Sequence, residues 1–500
     1  SLSHHVVPRL NGVRGQTSGP VPFVEDISVP PAALEEFVVR MRHILQRHEL
    51  TASLYCHAAT GQLHIRPFLP ALTPRDGPRM EALARDLYHA TLSLGGSISG
   101  EHGLGLSRTA FLRSQYGELY RVFQEVKDIF DPDHLLNPQK VLSDDPHLTV
   151  RHLRPPIEVP SELYDLQLNW TTHEFSATAV ACHGCGACRT QEPSQRMCPF
   201  FRVESSEDRT PRAKANAVRA IFDGRIPVHE LASSEMQQLT RKCFNCKQCE
   251  LECVNHVNVP HLMIEAKAQY LATQGPATSD WFLSRVHLWG EWFCQLSWLV
   301  NPLLGAPSSR WLLDRVLGVA AERRLPAFAR RSFLRSIPKQ WTAPPLKIQG
   351  GQPIVYFVDH FTNFHDPELG QAFAQILEHN GKTLHVPLKQ VPSGMAMISM
   401  GDLSAARLLA EQNVRVLAEF AREGCPIVCT EPAAAVCLKY EYPRLLDHPD
   451  TQIVADCVIE AGAYLAGLQR SGDLRTDFLE LPLTATYHTP CHLKALGKTT

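Results

Sequence analysis

One cysteine spacing occurs twice in this chain and limits what the chain can fold around. The stretches ACHGCGACRTQEPSQRMCPF, residues 181–200, and KCFNCKQCELECVN, residues 242–255, each contain three cysteines at two-residue intervals followed by a fourth. Zinc ribbons use two Cys-x2-Cys pairs, whereas here a third cysteine follows at the same interval. Three thiolates from one tight loop and a remote fourth instead suit a cubic [4Fe–4S] cluster. The sequence predicts two such clusters, with zinc or mixed ligation as the alternative.

The ligand sets are predicted from the bacterial ferredoxin pattern, in which the fourth cysteine of each run binds the other cluster. The predicted ligands of the first cluster are Cys182, Cys185, Cys188 and Cys253, and those of the second are Cys243, Cys246, Cys249 and Cys198. The nine residues between Cys188 and Cys198 depart from that pattern. Arg212 and Lys214 follow the first run and are candidate positive charges near the clusters, with a solvated helix face as the alternative.

Composition excludes several classes of partner. The chain has 500 residues and a formal net charge of -2, so no basic field favours nucleic acid. Its most apolar region, WFLSRVHLWGEWFCQLSWLVNPLLGA, contains charged residues and predicts a buried or peripheral helical segment, not a membrane span. Eight of the 15 cysteines lie in the two runs, which indicates a reducing, cytoplasmic setting. Peripheral attachment to the inner membrane and a homo-oligomer are left open.

Periodicity and proline content divide the chain into three predicted domains and a linker. Residues 1–145 mix strands and helices in an α+β pattern, and the Pro-rich residues 146–175 predict a linker. Residues 176–345 predict an α-helical domain that carries the cysteine runs. Residues 346–500 predict an α/β domain, in which PIVYFVD, PELGQAFAQILEHNG and KTLHVP form a βαβ unit with parallel strands.

The segment GGSISGEHGLGLSRTAFLRSQYGELYRVFQEVKDIFDPDHLLNPQKVL, residues 95–142, resembles the C-terminal domain of FAD-linked oxidases of the D-lactate, glycolate and D-2-hydroxyglutarate dehydrogenase group. With YCHAATGQLHIRP the resemblance covers most of residues 20–142. The whole chain resembles the fused flavin and iron–sulfur type. The resemblance implies that FAD binds mainly to a preceding domain, so we expect this chain to be a central fragment.

The last domain resembles the cysteine-rich domain of iron–sulfur subunits such as those of glycolate oxidase and heterodisulfide reductase. That family carries twin Cys-Cys-Gly motifs, but this chain has VPSGMAMISMGD at the first position, and Cys491 would open the second. We therefore expect a domain that is incomplete at its C-terminal end and holds no third cluster.

A divalent metal site is predicted at His57, His64 and Glu101. A hairpin turn containing Gly61 would bring the two histidines opposite one another, with Cβ atoms about 4.5 to 5.5 Å apart. Glu101, in a glycine-rich turn, could add a carboxylate and leave positions open for substrate. Relatives place metal ligands at the matching positions, and zinc or manganese would suit this set. A structural histidine pair is the alternative.

Further roles follow from the same resemblance. His102 matches the general base of the family, and its pKa range suits proton removal near neutral pH. Arg9, Arg14 and Arg66 are candidates for binding substrate carboxylates. Asn137 matches a position near the isoalloxazine ring of FAD, with a turn before Pro138 as the alternative.

These residues predict a dehydrogenase that oxidises a small D-2-hydroxy acid, with D-2-hydroxyglutarate as the first candidate, to the 2-oxo acid. Electrons would pass from FAD through two [4Fe–4S] clusters to a quinone or a redox protein. The alternatives are an electron-relay module without its own substrate chemistry, a D-lactate or glycolate dehydrogenase, and a zinc scaffold.

Overall fold

A computed structural model describes residues 18–70, 76–153, 165–192, 195–342 and 352–497. The chain forms two compact units, Ser1–Glu158 and Val159–Thr500. The boundary between them lies within the segment predicted as a linker, residues 146–175. The three-domain division of the chain stays a prediction.

The first unit combines one antiparallel sheet with helices. Its strands are β1 (Ser18–Pro20), β2 (Ile27–Ser28), β3 (Ala52–His57) and β4 (Gln62–Pro70). Its α-helices are α1 (Leu34–Arg47), α2 (Gly77–Ser93), α3 (Gly105–Arg108), α4 (Leu112–Tyr116), α5 (Leu119–Phe130) and α6 (Leu148–Arg151). Strand β4 pairs with each of the other three strands. This is the α+β architecture that the sequence predicts.

The core of the first unit forms because α1 and α2 cover the sheet with their apolar faces. Helix α1 buries Phe37, Met41, Ile44 and Leu45, which recur at the spacing of one helical face. They join Leu63 and Ile65 of β4 in one cluster with the buried side of α2. The opposite end of the β3–β4 hairpin stays accessible, and the candidate metal ligands lie there.

The N-terminal part of the second unit is helical, and its described residues 165–192 and 195–342 contain no strand. Its α-helices are α7 (Thr172–Val180), α8 (Pro199–Val203), α9 (Pro211–Phe222), α10 (Ser234–Arg241), α11 (Gln248–Glu252), α12 (Val259–Gln274), α13 (Thr278–Ser284), α14 (Val286–Gln295), α15 (Ser297–Gly305), α16 (Pro307–Leu317), α17 (Phe333–Ser336) and α18 (Lys339–Thr342).

The C-terminal part of the second unit is an α/β layer. Strands β5 (Ile354–Phe357), β6 (Leu384–His385), β7 (Ile427–Cys429) and β8 (Val458–Glu460) form a parallel sheet in the order β6-β5-β7-β8. The helices are α19 (His360–Phe364), α20 (Pro367–His379), α21 (Met395–Met400), α22 (Leu403–Arg422), α23 (Pro432–Val436), α24 (Tyr442–Leu445), α25 (Pro449–Cys457), α26 (Ala461–Ser471) and α27 (Cys491–Ala495). The β5–α20–β6 crossover with parallel strands is confirmed.

Helices α13 to α16 expose an apolar surface, the tryptophan face. Its exposed large side chains are Trp281, Leu283, Leu288, Trp292, Leu296, Trp298, Leu299, Leu303, Trp311, Leu312 and Val316. On α14 and just beyond it, Leu288, Trp292 and Leu296 recur at four-residue intervals, so one stripe faces solvent. Within the described ranges, no helix is long and apolar enough to cross a bilayer.

Candidate metal centre and cysteine cavities

The β3–β4 hairpin places both candidate histidines on one face of the sheet, but not directly opposite one another. His57 pairs with Gln62, and Tyr55 pairs with His64. The expectation that the histidines form a direct cross-strand pair is therefore wrong. The 3₁₀ turn Ala58–Thr60 and Gly61 together form a four-residue loop, which moves the register. The histidines are diagonal neighbours, with ring centroids 5.3 Å apart.

The turn of the hairpin requires glycine at position 61. Gly61 has φ +73°, and a Cβ atom there would lie 1.8 Å from the carbonyl oxygen of Val29. A side chain cannot be accommodated against a backbone carbonyl at this distance, so the residue sets both the turn and the histidine register.

Glu101 completes a group of three potential metal ligands. Its Oε2 lies 4.0 Å from His57 Nε2 and 3.9 Å from His64 Nε2. The candidate ligand atoms of all three residues lie within 4.8 Å of one another. Ligands of a tetrahedral ion with bonds of about 2.0 to 2.1 Å are separated by about 3.4 Å, so small side-chain adjustments would close the site. The donor set of two imidazoles and one carboxylate fits a divalent ion.

Burial and charge differ among the three ligands. His64 is nearly buried, and burial together with the adjacent His102 lowers its pKa, which favours the neutral imidazole that metals bind. Glu101 and His57 are exposed, with side-chain exposures of 51% and 41%. The open side of the group therefore faces solvent, from which a substrate could approach.

Asp26, which the motif analysis missed, holds the turn that carries Glu101 and His102. Its buried carboxylate accepts hydrogen bonds from the backbone N–H groups of Glu101 (2.8 Å) and His102 (2.9 Å) and from the Ser99 hydroxyl (2.7 Å). The Gln62 side chain also donates to it. Burial raises the pKa of Asp26, but these donors and Arg108 outweigh it and leave the pKa below its ordinary value. The sequence signal was an acidic residue between Val24 and Ile27, both of which are buried.

Close packing around this turn explains a second glycine. A Cβ atom at Gly100 would lie 1.7 Å from Gln62 Oε1, and Gln62 is the residue that pairs with His57. The glycine therefore lets the Glu101 turn approach the hairpin.

His102 lies beside the metal ligands and faces an acidic residue that the motif analysis also missed. Its ring stacks on His64 with centroids 5.0 Å apart. Its Nδ1 lies 3.5 Å from Glu25 Oε1. Glu25 also forms a 2.8 Å ion pair with Arg66. Arg66 is thus positioned near His102, but its guanidinium already has a carboxylate partner.

The other predicted ligands of substrate and flavin are less constrained. Arg9 and Arg14 lie outside the described residues. Asn137 is exposed and adopts φ +47°, and its carbonyl accepts a hydrogen bond from Lys140 N–H at 3.2 Å. This backbone agrees with a turn before Pro138, and the flavin contact stays a prediction.

Two cavities in the second unit bring the predicted cysteines together. The first cavity is lined by Cys182, Cys185, Cys188 and Cys253 together with Arg212. The second cavity is lined by Cys198, Cys243, Cys246 and Cys249 together with Lys214. Each cavity thus receives three cysteines from one loop and the fourth from the other run, and Cys249 also reaches the first cavity. Four sulfur donors around each space fit a cubic cluster.

The thiols of these cavities are buried enough to need a cationic partner before they ionise. Burial raises the pKa of Cys188 to about 11 and that of Cys246 to about 12. Because thiolate is the ligand form, iron binding would release these protons.

Both cysteine loops use the same backbone conformation. In the first loop, Gly184 and Gly186 have φ +80° and +78°. At the matching positions of the second loop, Asn245 and Lys247 have φ +58° and +62°. The three-cysteine spacing therefore forces two left-handed residues, and only the first loop supplies glycine for them.

The second loop is held in this conformation by a buried group of charges, the Glu441 cluster, made of Lys247, His261, Glu441 and Asn245. Glu441 Oε1 lies 2.7 Å from Lys247 Nζ, and Glu441 Oε2 lies 2.8 Å from His261 Nε2. Asn245 Nδ2 donates to Glu441 at 3.1 Å. Glu441 ends a π-helical turn, Cys437–Glu441, of the α/β layer.

Helix α27 also contacts the second loop. Gln248 Nε2 donates to the Cys491 carbonyl at 2.9 Å, and His492 Nε2 is 2.9 Å from the Asn245 carbonyl. At the site of the missing Cys-Cys-Gly motif, Ser393 instead donates its hydroxyl to Asp359 at 2.6 Å.

Comparisons with known proteins match both sites. Residues 5–141 match the family described as FAD linked oxidases, C-terminal domain. Residues 178–257 match the 4Fe-4S dicluster domain.

Three curated relatives show how far the similarity extends. The D-2-hydroxyglutarate dehydrogenase of Pseudomonas putida is 25% identical over 477 residues, which cover 87% of this chain and 46% of the relative. One polypeptide of the anaerobic glycerol-3-phosphate dehydrogenase of Escherichia coli is 27% identical over 247 residues, 49% of this chain and 60% of the relative. The D-lactate dehydrogenase of Archaeoglobus fulgidus is 31% identical over 119 residues, 24% of this chain and 26% of the relative.

The chain spans about half the length of the D-2-hydroxyglutarate dehydrogenases that it matches. The metal-ligand group lies inside the first matched family, and both cysteine runs lie inside the second. This chain therefore carries a C-terminal domain of the FAD-linked oxidases followed by a 4Fe-4S dicluster domain, and it is homologous to D-2-hydroxyglutarate dehydrogenases.

Proposed function

We propose that this chain is part of a FAD- and iron–sulfur-dependent dehydrogenase that oxidises a D-2-hydroxy acid, with D-2-hydroxyglutarate as the first candidate. The observation that carries the proposal is the group of His57, His64 and Glu101 with His102 beside it. The printed names of the relatives support the substrate class. D-Lactate and glycolate share the reacting atoms, so the distal group of the substrate is the open part of the proposal.

The metal ligands and the base have separate tasks in this proposal. A divalent ion held by His57, His64 and Glu101 would supply Lewis acidity toward the carboxylate and hydroxyl oxygens of the substrate. His102 takes the hydroxyl proton on a ring nitrogen, and Glu25 stabilises the resulting imidazolium at 3.5 Å. Asp26 keeps both residues in place through their backbone N–H groups.

The cysteine cavities support an electron path through two clusters, for which the residues of each cavity are the proposed ligands. FAD would accept the C2 hydride as an electron pair, and the clusters would carry its electrons one at a time. The terminal acceptor is a quinone or a redox protein.

The test compares variants of the full-length protein that contains this chain. His57→Ala and Glu101→Ala are expected to lose the divalent ion and the activity together. His102→Ala is expected to retain the ion and to lose about 10² to 10⁴ in kcat, the usual contribution of a general base. Metal analysis and turnover with an artificial acceptor on a panel of 2-hydroxy acids measure both effects.

His48→Ala is the matched control, because His48 is a histidine of the same unit that pairs with Asp86 at 2.9 Å and not with the ligand group. Near-normal turnover of His102→Ala at neutral pH would overturn the role of His102. Full activity of the metal-free protein would overturn the role of the ion, and unimpaired electron relay without 2-hydroxy-acid turnover would favour the relay module.

We also propose that the α/β layer, residues 352–497, is a domain of the cysteine-rich type that has lost its first motif. Ser393 and Gly394 occupy the motif position, and Cys425, Cys429 and Cys437 are buried packing thiols. An iron content above that of two clusters in well-reconstituted protein would contradict the absence of a third cluster.

Peripheral attachment to an anionic membrane surface is proposed for the tryptophan face. Trp298 is 73% exposed, and the adjoining residues 306–336 contain only two acidic residues beside their arginines. These arginines are Arg310, Arg315, Arg323, Arg324, Arg330, Arg331 and Arg335. Exposed tryptophans next to a basic segment are typical of surfaces that lie in the lipid interface. Like charges around the apolar face disfavour a symmetric contact between two copies.

Vesicle flotation tests this attachment. The protein is expected to float with vesicles that contain phosphatidylglycerol and to float less with pure phosphatidylcholine, and Trp292→Ser with Trp298→Ser is expected to reduce flotation in both. Flotation unchanged by the double substitution would contradict the proposal. Loss of an oligomer in sedimentation, without a change in flotation, would assign the face to a second copy.

A further inference from the structure

Two lysines next to the second cavity are buried without a carboxylate partner. Lys214 is 1% exposed, and its Nζ lies 3.9 Å from Cys198 Sγ. Lys267 is 8% exposed, and its Nζ donates to the Cys243 carbonyl at 2.6 Å. In the described part of the chain, neither ammonium lies within the 4.0 Å ion-pair limit of a carboxylate oxygen.

Carbonyl oxygens orient both ammonium groups but do not neutralise them. Lys214 Nζ donates to the Lys242 carbonyl at 2.6 Å and to the Arg209 carbonyl at 3.1 Å. Lys267 Nζ donates also to the Ser399 carbonyl at 2.6 Å. Lys214 lies on α9 and Lys267 on α12, so two different helices direct positive charge at the same cavity.

The first cavity has a different electrostatic environment. Its cation, Arg212, forms two hydrogen bonds of 2.6 and 3.0 Å with the Glu207 carboxylate. Glu207 also lies 3.6 Å from Arg189, and the side chains of Glu207 and Arg189 are about half exposed. The positive charge at this cavity is therefore paired or screened by water.

An isolated buried ammonium is unfavourable, because desolvation of an ion costs several kcal/mol unless an opposite charge compensates it. The groups that face both lysines belong to the second set of cysteines, Cys198 and Cys243. A cube with four thiolate ligands is anionic, and an added electron makes it more so. Buried positive charge therefore stabilises the reduced form and raises the reduction potential of the cluster.

We propose that Lys214 and Lys267 give the cluster held by Cys198, Cys243, Cys246 and Cys249 the higher reduction potential of the two. One electron then moves from the reduced cluster of the first cavity to the oxidised cluster of the second, which becomes the exit for electrons. This inference rests on the proposed function for its two clusters, and it assigns the lysines as positioning residues for charge, not as ligands.

The test is a redox titration of the anaerobic full-length protein, followed by electron paramagnetic resonance. Cys185→Ser is used first to assign the two signals, because Cys185 lines only the first cavity. Lys214→Met is expected to shift the potential of the second cluster downward and to leave that of the first cluster unchanged. Lys214→Arg, which keeps the charge, is expected to restore most of the shift.

Lys267→Met gives an independent measurement, with a smaller downward shift expected because its ammonium contacts a carbonyl and not a sulfur atom. Arg212→Met is the control at the first cavity and should change either potential little. Equal shifts of both clusters in Lys214→Met, no shift in either lysine variant, or a lower potential for the second cluster in the unmodified protein would overturn the inference.

Iron analysis separates this inference from the proposed function. About eight iron atoms per chain with unshifted potentials would overturn only the role of the lysines. About four iron atoms would instead overturn the two-cluster proposal on which it rests.

Discussion

The two cysteine loops have the same spacing and the same backbone conformation, but different support. The first loop uses Gly184 and Gly186 at its left-handed positions, and it exposes Cys185. The second loop places Asn245 and Lys247 there, and the buried Glu441 ties both side chains to the α/β layer. Glycine makes the first loop a local structure, whereas the second depends on residues almost 200 positions away.

This difference shows that one ligand geometry can be reached through backbone freedom or through tertiary contacts. A left-handed non-glycine residue costs about 1 to 2 kcal/mol, which the ion pairs and hydrogen bonds of Glu441 can offset. The second route couples the cavity to the fold of the whole unit. We therefore expect the second cavity to respond to distant substitutions and the first to respond mainly to local ones.

The largest expected effect comes from the remote cysteines. Cys198→Ala should remove the cluster of the second cavity and Cys253→Ala that of the first, because each loop lacks its fourth ligand without the other run. Iron content should fall from about eight to about four atoms per chain, and spectroscopy should identify which signal is lost. Cys457→Ala, outside both cavities, is the control, and loss of the sequence-adjacent cluster would contradict the crossed ligand sets.

The next largest effect concerns the support of the second loop. Glu441→Gln should destabilise the second unit by about 3 to 5 kcal/mol, because Lys247 and His261 would keep charges without a partner. At the first cavity, Glu207→Gln should cost less than about 1 kcal/mol, since that carboxylate is half exposed. Denaturant unfolding of the iron-loaded protein measures both, and similar costs would mean that the two loops do not differ in support.

Acid should reveal the same dependence on Glu441. Burial raises the pKa of Glu441, but Lys247 and His261 outweigh it, so the folded pKa lies below the ordinary value of 4.5. The stability contributed by this carboxylate is present above that ordinary value and is lost as pH falls through the lower folded pKa. Unfolding free energies measured from pH 6 downward should decline more in the unmodified protein than in Glu441→Gln. Parallel curves would contradict a role for this charge.

The smallest effect should come from a left-handed glycine of the first loop. Gly186→Ala should cost about 1 to 2 kcal/mol, and Gly186→Asn should cost less, because asparagine tolerates this conformation better. A Cβ atom there would lie 3.3 Å from Arg212 Nη1, which a flexible guanidinium can accommodate. Thermal unfolding would measure the order, and equal costs for alanine and asparagine would show that φ is not the cause.

Part of the candidate metal site could be predicted because its residues lie in short motifs. His57, His64, Glu101 and His102 are each part of a stretch whose turn chemistry is legible locally. Asp26 and Glu25 could not be assigned in this way, because their roles depend on partners more than 70 residues away, as in the bond from His102 N–H to Asp26. The histidine register was mispredicted because the length of the 3₁₀ turn, not the presence of Gly61, decides which residues pair.

The sequence by itself determined the cysteine spacing, the glycine-rich turn before Glu101 and the β5–α20–β6 crossover, since each depends on residues that are close in the chain. Only the tertiary structure decided the environments of the two cavities. Lys214 and Lys267 look like ordinary helix lysines in the sequence, and Glu441 lies in a segment with no motif. Their charges matter because packing removes water around them, and burial of that kind depends on long-range contacts that no local pattern encodes.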